Sequence, residues 1–210
     1  MFTPPEIPSL AEQLAELPSW KRRLSFLLGR HTPHWCRVVA NRWSAARVEA
    51  LDPSQLDALE VSGEAWSTRD FRTYRSVAYP DYDLCAGPLE EAAFDLVIAE
   101  QVLEHVAAPR DAVRHARAML RPGGHLLLTT PFLIRYHGAP DDYSRWTALG
   151  LERLLEEAGF DPRSIEVGSW GNRACAIANF DRWVKYRPLL HSLADDRRFP
   201  VTVWARAQKD

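Results

Sequence analysis

The sequence predicts an α/β fold in which helices wind over both faces of a mostly parallel sheet. Two observations carry this expectation. From about Leu56 short apolar runs alternate with helical ones, and two of those runs, "FDLVIAE" (94–100) and "GHLLLTTPF" (124–132), are apolar enough for strands buried on both faces. Between them, "PRDAVRHARAMLRPGG" (109–124) places Val113, Ala116, Met119 and Leu120 on one helical face, with the glycine pair Gly123 and Gly124 read as its stop. Strand, helix, strand at this spacing is the right-handed crossover of a parallel sheet.

The elements follow in order. Pro4, Pro5 and Pro8 make the start an extended arm, after which "SLAEQLAEL" carries Leu10, Leu14 and Leu17 at helical spacing behind Ser9 as N-cap. "WKRRLSFLLGR" is a second helical stretch ending near Gly29, and Pro33 separates it from "HWCRVVANRWSAARVEAL". Residues 1–50 are thus expected as a helical extension or lid, and 51–210 as the sheet domain. Within the latter, "DALEV" (57–61) and "TYRSVAY" (73–79) are the first two strands. After the fourth strand a helix opens at the N-cap Thr147, turns Leu151, Leu154 and Leu155 inward and stops at Gly159. "SIEVGSW" (164–170) and "FPVTVWARAQ" (199–208) form a final strand pair around a helical insertion near 172–198, whose apolar contacts are Phe180, Trp183, Tyr186 and Leu190.

A chain of 210 residues supports one domain with a substantial core. The formal net charge of -2, with no basic run or stripe, speaks against nucleic acid as a partner. The N-terminus has no signal-like pattern, and no apolar run reaches the roughly 20 residues needed to cross a bilayer, so a cytoplasmic protein without membrane contact is expected. Cys36, Cys85 and Cys175 lie outside any C-x-x-C pattern and read as reduced thiols. "HTPHWC" gathers His31, His34 and Cys36, but Pro33 keeps the two histidines off a shared helix face and no fourth ligand is near; no metal is expected there.

Residues 94–132, "FDLVIAEQVLEHVAAPRDAVRHARAMLRPGGHLLLTTPF", closely resemble the later motifs of class I S-adenosylmethionine-dependent methyltransferases of the small-molecule branch, and "DDYSRWTALGLERLLEEAGF" extends the likeness. The resemblance covers roughly 56–170. It implies a three-layer, Rossmann-like, doubly wound sheet of seven strands with one antiparallel edge strand, and S-adenosylmethionine as cofactor. By the same resemblance Glu60 organises the first loop together with Ser62 and Gly63, Asp83 approaches the adenine amine, and Ala99, Glu100 and Gln101 wall the pocket. Ligands of such sheets bind beyond the carboxyl ends of the strands, where "VSGEA", "AYPDYD", "AEQ" and "TPFLIRYH" gather polar groups.

Two departures bear on that cofactor. The family's loop is acidic-x-Gly-x-Gly-x-Gly, whereas Ser62, Glu64 and Trp66 stand at the matching positions with Gly63 out of phase. At the end of the second strand the ribose-binding carboxylate is replaced by Ala78 and Tyr79. Losing that contact weakens binding by about 1.5–3 kcal/mol on the scale of hydrogen bonds to charged groups. Trp66 is placed to fill part of the pocket; because S-adenosylmethionine carries no phosphate a crowded loop can still hold it, and weak or lost binding is the alternative left open.

The chemistry is expected in "RYHGAPDDYSRW". His137 there is a catalytic base oriented by Asp141 or Asp142, or else a loop histidine bonded to backbone. Tyr143 joins the catalytic set, while Arg145 orients substrate, as do Asn172 and Arg173 in "GSWGNRACAIANF". His105 reads as structural or as a participant. The resulting function is methyl transfer to O or N of a small molecule, with natural-product metabolism as its setting. Two alternatives stand beside it: a scaffold without cofactor, with Glu60, Glu64 and Glu100 serving a displacement or ring closure, and a non-catalytic subunit of a heteromer. The expected partners are a small-molecule substrate and either a second copy of the chain or a heteromeric subunit.

Overall fold

The structure, a computed structural model, describes residues 32–138 and 140–210. The helical expectations for 9–30 and the proline arm lie outside the described residues.

Its centre is a six-stranded sheet built from β1 (Asp57–Val61), β2 (Thr73–Val77), β3 (Phe94–Glu100), β4 (Leu120–Pro131), β5 (Ile165–Trp170) and β6 (Thr202–Gln208), in the order β2-β1-β3-β4-β6-β5. The pairs β1–β2, β1–β3 and β3–β4 are parallel, whereas β6 runs antiparallel to both β4 and β5 at the far end of the sheet. The expected mostly parallel sheet with antiparallel pairing toward one edge is present, but with six strands rather than seven among the described residues, and the antiparallel strand β6 lies one place in from the edge strand β5. Beyond β2, residues 78–93 hold turns and no strand: Pro80, Gly87 and Pro88 interrupt every apolar run there.

Three layers follow from strand alternation. On β3, Leu96 and Ile98 pack toward α1 (Val38–Glu49), with Val48, Ala58 and Leu127. Val97 and Ala99 point the other way, into the larger core under α2 (Pro109–Met119) and α3 (Ala148–Glu157), where Val113, Ala116, Met119, Leu151 and Leu155 meet them. Helix α1, expected as part of a separate extension, therefore forms one of the layers of the sheet domain. Its Arg47 donates from Nε to Glu166 of β5 at 2.9 Å, and its Trp43 stacks on Trp204 of β6 at 5.5 Å.

Local signals act mostly as read. Thr147 caps α3 by accepting from Gly150 N at 3.0 Å, and Gly159 ends it with φ of +99°. The pair Gly123 and Gly124 acts differently. Helix α2 stops at Met119 and Leu120 is already extended, so the glycines lie inside β4, where the register shifts against Phe94 and Leu96. A Cβ on Gly124 would meet three carbonyl oxygens at 3.0 to 3.2 Å, so this irregular stretch of strand needs glycine.

The expected insertion contains α4 (Arg173–Asp181) and then irregular chain that ties back to the start of the described residues. Trp35 N donates to Val184 O at 2.7 Å, Tyr186 N to Pro33 O at 3.0 Å, and Trp35 stacks on His191 at 4.2 Å. Among the described residues no helix is long and apolar enough to cross a membrane.

Candidate active site

At the tip of β1 the chain must leave the sheet within a few residues, and Glu60 organises that exit. Its buried carboxylate accepts the backbone N–H groups of Ala65 and Trp66, both at 3.0 Å, and the Tyr74 hydroxyl at 2.6 Å. A Cβ on Gly63 would sit 2.6 Å from Glu60 Oε1, and that carboxylate is pinned by its other bonds. The lone glycine of the loop thus occupies the position where this geometry needs one. Ser62 takes the positive backbone angle itself, with φ of +66°.

Trp66 departs from its expected place. It is 6% exposed in the core beneath α1, with Leu96, Ile98 and Leu127, and its Nε1 donates to Glu100 Oε2 at 3.1 Å. Glu100 also accepts from Ser44 Oγ of α1 at 2.6 Å. Burial raises the Glu100 carboxyl pKa against these bonds. Trp66 and Glu100 therefore fasten the loop to the helical layer on the α1 face. Period two explains it: Glu100 shares the face of Leu96 and Ile98. Gln101, at φ of +58°, spends its amide on Thr129 Oγ1 at 3.1 Å.

A cavity of about 370 Å³ opens beyond the strand tips, within the range of small-molecule sites. Val61, Leu84, Val102 and Val106 give it apolar walls, and Ser62, Asp83, His105 and Asp141 give it polar ones. Tyr79, Tyr82, Cys85 and Tyr143 also line it. His115 of α2 holds the Leu84 turn by its Nδ1–H to Leu84 O at 2.8 Å, and Asp83 Oδ1 accepts from Cys85 N at 2.8 Å. Of the expected cofactor residues, Ser62 and Asp83 thus face the cavity, Glu60 and Gly63 shape its loop, and Glu100 and Gln101 are turned to other partners. A groove of similar volume between α2 and α3 holds the Arg110–Glu157 ion pair and lies away from the strand tips.

The loop after β4 supplies the other end of the site. The His137 backbone N–H donates to Asp142 Oδ2 at 2.8 Å, and its Nδ1 lies 3.3 Å from the same oxygen. Arg145 donates to Asp142 from both terminal nitrogens, at 2.6 Å for Nη2, and holds the Asp142 carboxyl down to about 2. Burial lowers the His137 pKa, and Asp142 only partly opposes this, so the imidazole is neutral at pH 7. His137 stacks on His105 at 4.9 Å, and it is His105 that reaches the cavity wall. His105 Nδ1 donates to Asp141 O, and the Tyr143 hydroxyl donates to Asp141 Oδ2 at 3.1 Å.

The expected substrate residues are placed elsewhere. Arg145, besides Asp142, donates to Ser144 O at 2.8 Å, so it positions the loop. Asn172 caps α4 by accepting from Cys175 N at 2.9 Å and donates to Ser192 O and Ala194 O. Arg173 is exposed on the first turn of α4. Glu104 is the residue that sequence reasoning missed. Its side chain is fully buried, burial pushes its carboxyl up to about 7, and Oε1 has no hydrogen-bond partner. His34 of the "HTPHWC" stretch stacks on Trp183 at 5.3 Å, and the Cys36 thiol is buried.

A mostly parallel α/β sheet whose first loop is gathered by a strand-tip acid, with one cavity beyond the tips, defines the Rossmann-like class of nucleoside-binding folds. Within that class the chain belongs to the methyltransferase-domain family, whose model matches residues 8–165. Among curated relatives, the ubiquinone biosynthesis O-methyltransferase of Alkalilimnicola ehrlichii is 28% identical over 70% of this chain and 56% of its own. The malonyl-[acyl-carrier protein] O-methyltransferase of a Paenibacillus species is 24% identical over 80% of this chain and 66% of its own. The chain thus spans between half and two thirds of these relatives. A solved S-adenosylmethionine-dependent methyltransferase from Mesorhizobium loti shares the fold with a TM-score of 0.54 at 18% identity, covering 80% of this chain and 97% of that one.

Proposed function

We propose that this chain transfers a methyl group from S-adenosylmethionine to an oxygen of a small molecule, as a cytoplasmic enzyme. One observation carries the reading: a cavity runs from Ser62, in the loop organised by Glu60, to His105, on whose ring His137 stacks. The residues present fit the cofactor. The apolar walls of Val61, Leu84, Val102 and Val106 suit a flat base, Asp83 offers a carboxylate for its amine, and Ser62 with Tyr79 offers hydroxyls for the ribose. With Trp66 packed away on the α1 face, the space is open to it. When bound, this cofactor supplies a sulfonium-activated methyl group, so the protein has to align the acceptor and deal with its proton.

The loop from 136 to 145 serves that second task. Neutral His137, gripped at Nδ1 by Asp142, leaves its other ring nitrogen as an acceptor site, and Tyr143 borders the opening. The choice of oxygen rests on the two curated relatives named above, which are O-methyltransferases by name.

Titration calorimetry with S-adenosylhomocysteine tests the cofactor. Micromolar binding is expected, and silence at millimolar concentration would leave a scaffold that has lost it. Replacement His137→Ala is expected to lower kcat by about 10²-fold or more, the scale of general-base loss. Unchanged turnover would remove His137 from the mechanism.

A further inference from the structure

We propose that Glu104, His105 and His137 form a binding site for a divalent first-row transition metal on the wall of the cavity. One ligand atom from each lies within 4.8 Å of the others, and His105 Nε2 is 3.8 Å from Glu104 Oε1. Ligand atoms on one such metal, with bonds of about 2.1 Å, stand roughly 3 Å apart, so the side chains close by about 1–2 Å on loading. Two imidazoles and one carboxylate, with further positions open, is a known donor set for such ions.

The surroundings prepare these donors. A main-chain carbonyl only accepts, so the bond from His105 Nδ1 to Asp141 O requires the proton on Nδ1 and leaves Nε2 with a free lone pair beside Glu104. Ionised Asp142 does the same for His137. Hydrogen bonds from the distal imidazole nitrogen to a carbonyl or carboxylate are the usual outer contacts of metal-bound histidine. The second, independent observation is Glu104 itself. Its side chain is fully buried, Oε2 accepts a long bond of 3.4 Å from Thr130 Oγ1, and Oε1 is buried without a hydrogen-bond partner. A buried oxygen left unsatisfied is costly, and a cation satisfies it. Two carboxylates, Glu104 and Asp142, stand at the position against the guanidinium of Arg145, with Arg37 also acting on Glu104. His105, 21% exposed and lining the cavity, provides the path of entry.

The site rests on the reading of the cavity as an acceptor site and replaces one part of it: the free ring nitrogen of His137 holds the metal instead of accepting the proton, and the open coordination positions would take the acceptor oxygen and make its proton more acidic. Metal uptake is measured without cofactor, so its failure and a failure of S-adenosylhomocysteine binding are separate results. Chelator-stripped full chain titrated with Co²⁺ is expected to take up one equivalent with visible d–d absorption, and Zn²⁺ to displace it. Glu104→Gln, His105→Ala and His137→Gln are expected to lose at least tenfold in Co²⁺ affinity, and Asp142→Asn about tenfold as an outer contact. Circular dichroism confirms that each variant is folded, and His137→Gln, on an irregular loop, keeps the test open if Glu104→Gln is not. Two results overturn the proposal: no uptake at millimolar Co²⁺, or uptake that survives these changes and is lost in His34→Ala.

Discussion

Cys85 is the thiol placed to report on the cavity. It lines that space and is partly exposed, while Cys36 and Cys175 are buried. Burial pushes the Cys36 thiol up to about 11 and raises Cys175 as well, so neither forms the reactive thiolate near neutral pH. Iodoacetamide at pH 8 is therefore expected to add one label per chain, at Cys85, and S-adenosylhomocysteine to slow it. Peptide mapping by mass spectrometry reads both, and labelling spread evenly over the three thiols would contradict the placement. At this scale the sequence reveals strand-tip residues better than loop-covered ones. Glu60 and Gly63 are legible through the family likeness, which expects an acid near the end of the first strand and a glycine in the loop after it. Glu104 is not, since a carboxylate in a short turn reads as solvated. It is buried through distant chain: Tyr143 N donates to Glu104 O at 2.7 Å, and Thr130 of β4 reaches its Oε2 at 3.4 Å.

Among the elements, α1 is joined to the sheet end most directly through Arg47 and Glu166. The hydrogen bonds from Arg47 lower the Glu166 pKa in the folded chain. A carboxyl depressed on folding contributes stability above its unfolded value, near 4.3, and loses it as pH falls through the folded value. Both side chains are about one third exposed, which holds the contribution to the scale of surface pairs. Glu166→Gln is expected to cost about 0.5–1 kcal/mol in urea unfolding at pH 7. The gap to the wild type should close as pH falls below the unfolded value and through the lowered folded one; a gap independent of pH would assign the loss to packing. Element identity was largely legible, because β1 and β3 sit where "DALEV" and "FDLVIAE" place them. The seventh strand came from the family likeness alone: 78–93 has no apolar alternation from which to build one. The glycine pair was misread because a helix stop and a strand bulge both call on glycine, and only the pairing with Phe94 and Leu96 distinguishes them.

For the whole molecule, the cavity and the core are parts of one packed body. Leu84, Val61, Val102 and Val106 line the cavity and also belong to the main core under α2 and α3. A ligand seated there binds the native state and has no counterpart in the unfolded chain, so it must stabilise the whole domain. At a concentration 100 times its dissociation constant the gain is about 2.7 kcal/mol. For a domain of this size each kcal/mol moves Tm by roughly 2–4 °C, so S-adenosylhomocysteine is expected to raise Tm by roughly 5–10 °C. Near-ultraviolet and far-ultraviolet circular dichroism should shift together, since tryptophan environments and the sheet melt in one transition. Asp83→Ala removes a cavity-facing carboxylate from an exposed turn, together with its bond from Cys85 N, without touching the core, so it should lower the unliganded Tm only slightly and reduce the shift at the same ligand concentration. A full shift in that variant would place the ligand elsewhere on the molecule. A shift seen by one probe alone would mean that the strand tips and the core do not unfold as one unit.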